Sequence, residues 1–573
     1  MKHLFISLLF FILLIQCCNT RDIPESLKDE TPFLKALEYI ELNQFNEAKK
    51  LIDPEWVDQF DSLIINTIPG PVKKGKWGFS RVRGNKIYYF IYNWQPGQLM
   101  QFPNTEIPIL SGRCLNNNME IKVEWAIGVE IFVNEDDRDP LATVIELTMS
   151  EDAENLHPVD MSDWSDPALN ASKKVINKWK NDRFGLFIHW GPCAIEAREI
   201  SWSRNGSKLG RIRYGGAGVN GEYEADPHYD SLYLGFNPIH FDADSLVNIA
   251  KDAGMKYIVF VAKHHDGFCL FDSKVTNYDI ISTPYGKDIC KELADACHKN
   301  KMKLGWYYSP RDWYHKDFGG DNHDKYLEFY YEQLKELLTN YGKIDILWFD
   351  CLDSPQYLWG DFPAKISRQI REWQPDIIMN NRGGLRGDFD TPESKVGVFE
   401  NRRPWESCIK LGKGWSWRGD HEPRSLEWCI KTLINTNSRD GNLLLNIGPQ
   451  PDGNIASSEI ERLKEIGQWL KKYNKAIYST RGGPFLPTEE VCTTYKGDRI
   501  FLHFTGKRRE AFLPDFGKKI ISSELLNEGS VNCEYIINSW QITISPDQND
   551  EIDYIVELKI DGDAGKIRPL KIH

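Results

Sequence analysis

The run YIVFVAKHH (257–265) is apolar for most of its length and ends on a pair of histidines, and other runs along the chain are built the same way. FGLFIHW (184–190) reaches His189, KLGWYYS (303–309) reaches Tyr307 and Tyr308, IDILWFD (344–350) ends on Asp350, DIIMNNR (376–382) ends on Arg382, and NLLLNIG (442–448) completes the series. Between these strand-like runs lie amphipathic helical segments: DADSLVNIAKDAG (242–254), KDICKELADACHKN (287–300) and HDKYLEFYYEQLKELLTNYG (323–342). Repeated β-α units of this length predict an α/β fold, a (β/α)8-type, TIM-like barrel over residues 166–475, with Val, Ile and Leu filling its interior. In such a barrel the C-terminal strand ends converge on one face, where the active site is built. Wet loops explain one or two polar strand ends, but not His, His-His, Tyr-Tyr, Asp and Arg in one set.

On either side of this region the text changes. From Gly75 to Leu147, alternating runs such as KIYYFIYNW (86–94), EIKVEWAI (120–127) and ATVIELTM (142–149) are separated by turn clusters, the pattern of an antiparallel β domain. The pattern returns near the C-terminus. VRGNKIYYFIYNW (82–94) sits beside YKGDRIFLHFTGK (495–507), and DRDPLATVIELTMSEDA (137–153) beside QNDEIDYIVELKIDGDA (548–564), at nearly constant offset. The barrel is therefore expected between two antiparallel β-sandwich domains, one in residues 19–165 behind a helical segment at about 30–65, the other in 476–573.

A chain of 573 residues calls for two or three domains. The net charge of -13, with no cluster of Lys and Arg, argues against nucleic acid, whereas 19 Trp, 24 Tyr and 28 Phe offer flat faces on which sugar rings stack. The start, MKHLFISLLFFILLIQCCNT, joins a short basic stretch to an apolar run too short for a comfortable membrane span, and reads as an export signal over residues 1–18. Its Leu-Ile-Gln-Cys-Cys end resembles a bacterial lipoprotein signal, with Cys17 or Cys18 as the lipidated residue. Gln16 is an imperfect match to that pattern, and simple secretion is the alternative. The expected location is periplasmic or anchored to the outer membrane. The other ten cysteines show no CxxC pair, so neither a disulfide framework nor a structural zinc site is indicated.

Two chemistries could use the strand-end residues. A metal-dependent hydrolase would take the histidines and Asp350 as ligands, but such barrels usually carry His-x-His on the first strand, and Trp190 and Gly191 follow His189 here. A glycosidase needs two carboxyl groups across the anomeric carbon, with aromatic and polar groups to grip the sugar. Asp350 supplies one carboxylate.

RFGLFIHWG (183–191), AKHHDGFCLFDSK (262–274), GWYYSPRDW (305–313), YGKIDILWFD (341–350), NNRGGLRGDFDTPE (380–393), PWESC (404–408) and NLLLNIGPQPDG (442–453) together resemble glycoside hydrolase family 29, the α-L-fucosidases. The resemblance spans the central region in the right order. It implies an exo-acting enzyme that releases fucose with retention, needs no metal or organic cofactor, and has a fucosylated oligosaccharide or glycoconjugate as its binding partner. Asp350 lies at the family's nucleophile position. Glu393, in Asp-Thr-Pro-Glu, is the choice for acid/base, with Glu406 and Glu400 as rivals, because it follows the nucleophile by a separation similar to that of the family and a loop Glu beside apolar neighbours can be tuned to donate a proton. The resemblance assigns fucose binding to His189, Trp202, His264, His265, Tyr307, Trp348 and Arg382. Ser201 stands where many members have Glu, and Glu199 is a substitute that could reach in. The C6 methyl of a 6-deoxy sugar calls for an apolar niche, with Phe184, Trp348 and Trp405 as candidates; a small change there would admit α-L-galactosides. A non-catalytic glycan-binding protein on the same scaffold is the other reading, and oligomeric state is not legible.

Overall fold

The computed structural model describes residues 32–41, 44–75, 77–94, 99–102, 107–125, 129–159, 167–204, 226–350, 359–548 and 551–572. The expected export signal, with Cys17 and Cys18, lies outside them, as does the glycine-rich segment 204–224 apart from Arg204. No helix among the described residues is long and apolar enough to cross a membrane.

The barrel strands are β1 (Phe184–Ile188), β2 (Tyr257–Lys263), β3 (Lys303–Tyr308), β4 (Ile346–Phe349), β5 (Ile378–Met379), β6 (Glu406–Lys410) and β7 (Asn442–Ile447). They form one parallel sheet in the order β5-β4-β3-β2-β1-β7-β6. The gap between β5 and β6 is closed by an irregular eighth stave at 389–393, through parallel bridges Asn380↔Phe389, Asp390↔Trp405 and Glu393↔Cys408. Outside the strands pack α1 (Ala243–Asp252), α2 (Ile289–Lys299), α3 (His323–Thr339), α4 (Phe362–Trp373), α5 (Leu426–Ser438) and α6 (Ser457–Tyr473). Asp242, Asp288 and Ser425 cap α1, α2 and α5 by accepting from Ser245, Lys291 and Trp428 backbone N–H groups.

Strand periodicity of two sorts the side chains. Ile258, Phe260, Leu304, Trp306, Leu347 and Phe349 join the cluster packed against the helices. Phe187, Tyr257, Val259, Val261, Tyr307, Ile346, Trp348 and Leu444 fill the barrel. Gly185 shares the inward parity, and the Tyr257 ring occupies the space that a Cβ there would need. Continued up each strand, the same parity turns His189, Tyr307, Asp350, Arg382 and Asn446 toward the mouth.

Four strands of the N-terminal sheet and four of the C-terminal sheet have one connectivity. Gly78–Arg83, Lys86–Ile91, Thr143–Met149 and Ile109–Cys114 are neighbours in that order, as are Val491–Lys496, Arg499–Phe504, Tyr554–Ile560 and Ile520–Leu525. Pairing of Tyr88 with Glu146 corresponds to pairing of Phe501 with Glu557. Even the cross-strand ion pair is repeated, Lys86–Glu146 and Arg499–Glu557. One face of each copy forms a sandwich core. The other face differs: Cys492, Phe501 and Ile555 pack into the barrel's helix-side cluster, whereas Phe79, Tyr88, Phe90 and Val144 are covered by helices Pro32–Glu41 and Pro54–Ile65 through Leu37, Ile40, Trp56 and Phe60.

The cysteines among the described residues are unpaired and, apart from the half-buried Cys533, buried.

Candidate active site

At the barrel mouth Asp350 accepts from Tyr307 Oη at Oδ2, 2.7 Å, and from Arg382 Nη1 at Oδ1, 2.8 Å. Burial alone would raise the Asp350 carboxyl, but the Arg382 charge and the hydrogen bonds from Arg382 and Tyr307 outweigh it and hold the group below its ordinary range. Arg382 is fixed in turn, its Nε donating to Thr391 Oγ1 at 2.8 Å, its Nη2 to Thr391 O at 2.9 Å, and its guanidinium lying 4.7 Å from the Trp348 ring centroid. The same Nη1 also donates to Glu393 Oε2 at 3.0 Å. The two distances cap the gap between the carboxylate oxygens at roughly 6 Å, compatible with the 5–5.5 Å spacing of a retaining pair.

Glu393 stands at the upper end of the eighth stave with its side chain 43% exposed, so the apolar surroundings expected for it are replaced by Arg382 on one side and solvent on the other. Glu406 lies at the opposite end of the barrel. It opens β6, is fully buried, accepts from Tyr257 Oη, and takes the Trp348 indole N–H at 3.3 Å. Glu400 accepts the backbone N–H groups of Arg402 and Arg403 in the turn before β6. Neither rival faces the mouth.

The histidines form one cluster of rings. His189 lies 5.6 Å from His264 and 5.4 Å from Tyr307; His264 lies 4.0 Å from His265 and stacks on Tyr307 at 5.3 Å with 4° between planes. Each has one nitrogen tied down: His189 Nδ1 is 2.6 Å from Asn446 Oδ1, His264 Nδ1 is 2.6 Å from Ser201 Oγ, and His265 Nδ1 is 2.6 Å from Ser309 Oγ. Burial drives all three below the ordinary histidine range, His189 to about 4, so they are neutral at neutral pH. His265 Nε2 is buried, makes no hydrogen bond, and stands 3.7 Å from Asp350 Oδ2. A buried polar atom in that state is an unmade contact for a ligand hydroxyl.

Around this floor stand three indoles. Trp202 packs 5.4 Å from His265 and 5.3 Å from Trp313, and Trp415 lies 5.0 Å from His189. Trp313 and Trp415 escaped the sequence reading, as did Ser201, Ser309 and Asn446 as orienting groups. Asn446 was findable, being the polar end of a strand run already singled out. Ser201, which stands where the family resemblance places Glu, also accepts from Asp266 N at 2.9 Å. Glu199 does not reach in; its Oε1 accepts from Trp415 N at 2.9 Å and Ser416 N at 3.1 Å, which pins the loop carrying Trp415. Of the candidates for an apolar niche, Phe184 faces the helices and Trp405 donates to Glu400 O and Arg439 O below the barrel, which leaves Trp348 at the site.

Ligand atoms of His264, His265 and Asp350 lie within 4.8 Å of one another, the spacing of a metal site. The surroundings do not suit a cation: Arg382 already neutralises Asp350 at 2.8 Å, and a second positive charge would sit against it. Neutral imidazoles, a phenol and aromatic faces are instead the donor set of an uncharged polyol.

Residues 155–475 match the family model described as Alpha-L-fucosidase. The plasma alpha-L-fucosidase of Homo sapiens is 30% identical over 319 residues, which cover 52% of this chain and 68% of that protein. Among solved structures, alpha-L-fucosidase isoenzyme 1 from Paenibacillus thiaminolyticus superposes with a TM-score of 0.60 at 31% identity, covering 69% of this chain and 100% of that one. An alpha-L-fucosidase GH29 from Bacteroides thetaiotaomicron superposes with a TM-score of 0.61 at 25% identity, covering 69% and 96%.

Proposed function

We propose, on the premise that this chain belongs to the α-L-fucosidases of glycoside hydrolase family 29 and hydrolyses terminal fucosyl linkages with retention, that Asp350 is its nucleophile and Glu393 its acid/base. A single observation carries the assignment: one guanidinium nitrogen, Arg382 Nη1, donates to both carboxylates and so holds them within the short separation a retaining pair needs.

In the first step an Asp350 oxygen attacks the anomeric carbon while the glycosidic C–O bond breaks and Glu393 gives its proton to the departing oxygen. In the second, Glu393 takes a proton from water, whose oxygen attacks the same carbon from the vacated side and expels Asp350, restoring the original anomeric configuration. Tyr307 and Arg382 serve both steps. They keep Asp350 ionised before attack and stabilise it again as it leaves. His189, His264 and His265, neutral and oriented by Asn446, Ser201 and Ser309, exchange hydrogen bonds with the sugar hydroxyls, with Trp348 and Trp202 against its apolar faces. A pure glycan-binding protein does not require two carboxyl groups brought together on one guanidinium nitrogen, whereas a retaining hydrolase does require such a close pair. The test is hydrolysis of an aryl α-L-fucoside followed by NMR: the α-anomer should form first, and turnover should vanish in Asp350→Ala. First-formed β-fucose would end the double-displacement reading.

The leader sequence supports export, with lipid attachment at Cys17 or Cys18. Mass spectrometry of the N-terminal peptide from membranes distinguishes a diacylglyceryl cysteine from a chain cut free. The working domain limits, 19–165, 166–475 and 476–573, are checked by limited proteolysis.

A further inference from the structure

The N-terminal sheet cannot meet the barrel as its C-terminal copy does, because the corresponding face lies under the helices of residues 32–65. It meets the barrel elsewhere. Leu385, in the loop between Arg382 and Glu393, packs half-buried against the core cluster of the N-terminal sandwich.

The segment leading out of that sandwich is tied to the same loop. Leu169 O accepts from Arg371 Nε at 3.1 Å, and Ala171 N donates to Asp388 Oδ1 at 2.7 Å. Asp388 Oδ2 receives Arg371 Nη2 and Met379 N, each at 2.7 Å. Arg403 holds the loop's descending limb, donating from Nη2 to Arg386 O at 2.6 Å and from Nε to Asp390 Oδ1 at 2.7 Å. Gly387, at φ +59°, turns back so tightly that a Cβ there would strike the Asn380 carbonyl. Asp350 and Arg403 thus fix the two limbs of the loop, and Leu385 anchors its middle in another domain.

We infer that the N-terminal sandwich is a brace for the catalytic loop, with Leu385 as a positioning residue that sets the placement of Glu393 over Asp350. The inference rests on the assignment of Glu393 given above. Acid catalysis matters most for leaving groups that cannot depart unprotonated, so a misplaced Glu393 has a signature that a general loss of packing lacks.

The experiment compares kcat/KM, which reports the first step, for 2,4-dinitrophenyl and methyl α-L-fucosides in full-length Leu385→Ala, Leu385→Met and, as reference, Glu393→Gln. Leu385→Ala should lose about 10-fold or more on the methyl fucoside, as sub-ångström misplacement of a reacting group does, and less than about 2-fold on the dinitrophenyl one. Leu385→Met, which refills the contact, should recover most of that loss. Equal losses on both substrates, or none on either, overturn the inference while leaving the role of Glu393 intact. A Glu393→Gln enzyme without the leaving-group split removes the premise and the inference with it. Should Leu385→Ala not fold, Leu385→Val carries the same comparison.

Discussion

Two buried carboxyl groups sit at opposite ends of one barrel, on the same inward parity, in opposite states. Glu406, at the base, has only neutral donors, Tyr257 and Trp348, and burial pushes it up to about 8. Asp350, at the mouth, is also buried but faces Arg382 and falls below its ordinary range. Burial alone therefore makes a carboxyl a neutral filler; a cation beside it keeps it ionised, as the proposed nucleophile must be. Trp348 touches both ends, its N–H on Glu406 and its ring beneath Arg382.

The largest effect that would break this contrast comes from the mouth itself. Asp350→Ala should lower kcat on every α-L-fucoside by about 10⁴-fold or more, since no leaving group compensates for a missing nucleophile. Glu393→Gln comes next, at roughly 10²–10⁴-fold on unactivated fucosides, with far less loss when the leaving group needs no proton. Arg382→Gln sharpens the comparison by turning the mouth into a copy of the base: Asp350 would keep its burial, lose its cation and rise above its ordinary range. The acidic limb of the kcat/KM profile should then move to higher pH, with about 10²-fold lower activity below it.

The smallest effect is at the base. Glu406→Gln mimics the protonated carboxyl, so kcat/KM in mildly acidic buffer should stay within about 3-fold of the parent. Its effect on stability depends on pH. Unfolded Glu406 ionises near 4.5 but the folded group only near 8, so the folded state binds the extra proton between those values. The parent thus loses stability as pH rises through that window, and a carboxamide cannot. The melting temperature of Glu406→Gln relative to the parent should rise from pH 5 to pH 8; a constant difference would mean that Glu406 is ionised in the folded protein.

Much of this was legible in the sequence, because a barrel strand is short, apolar and ends polar. Runs 184–190, 257–265, 303–309 and 442–448 became strands within a residue or two of their quoted ends. What escaped was the part without that signature. β6 begins with Glu406 and Ser407, both buried, and polar residues at a strand start read as loop. The eighth stave makes isolated bridges and no continuous ladder, so its residues carry no period to detect, although Glu393 rides on it. The run 376–382 shrinks to Ile378–Met379 because Asn380 already bridges to that stave. Site residues at strand ends could be chosen by type, whereas Trp313 and Trp415 come from loops whose placement depends on partners such as Glu199, remote in sequence. Separation from Asp350 favours Glu393 over Glu406 in the sequence, but it does not show that the two stand at opposite ends of the barrel, Glu393 beside Arg382 and Glu406 between Tyr257 and Trp348.

The repeated sheet shows how one connectivity can be covered in two ways. The C-terminal copy leaves its outer face, with Cys492, Phe501 and Ile555, on the barrel, while the N-terminal copy would present Phe79, Tyr88 and Phe90 to water were it not for its own helical cover. A polypeptide trimmed to begin after Ile65 would therefore expose a flat aromatic surface of the kind that recruits other chains, and should self-associate even though every catalytic residue is retained.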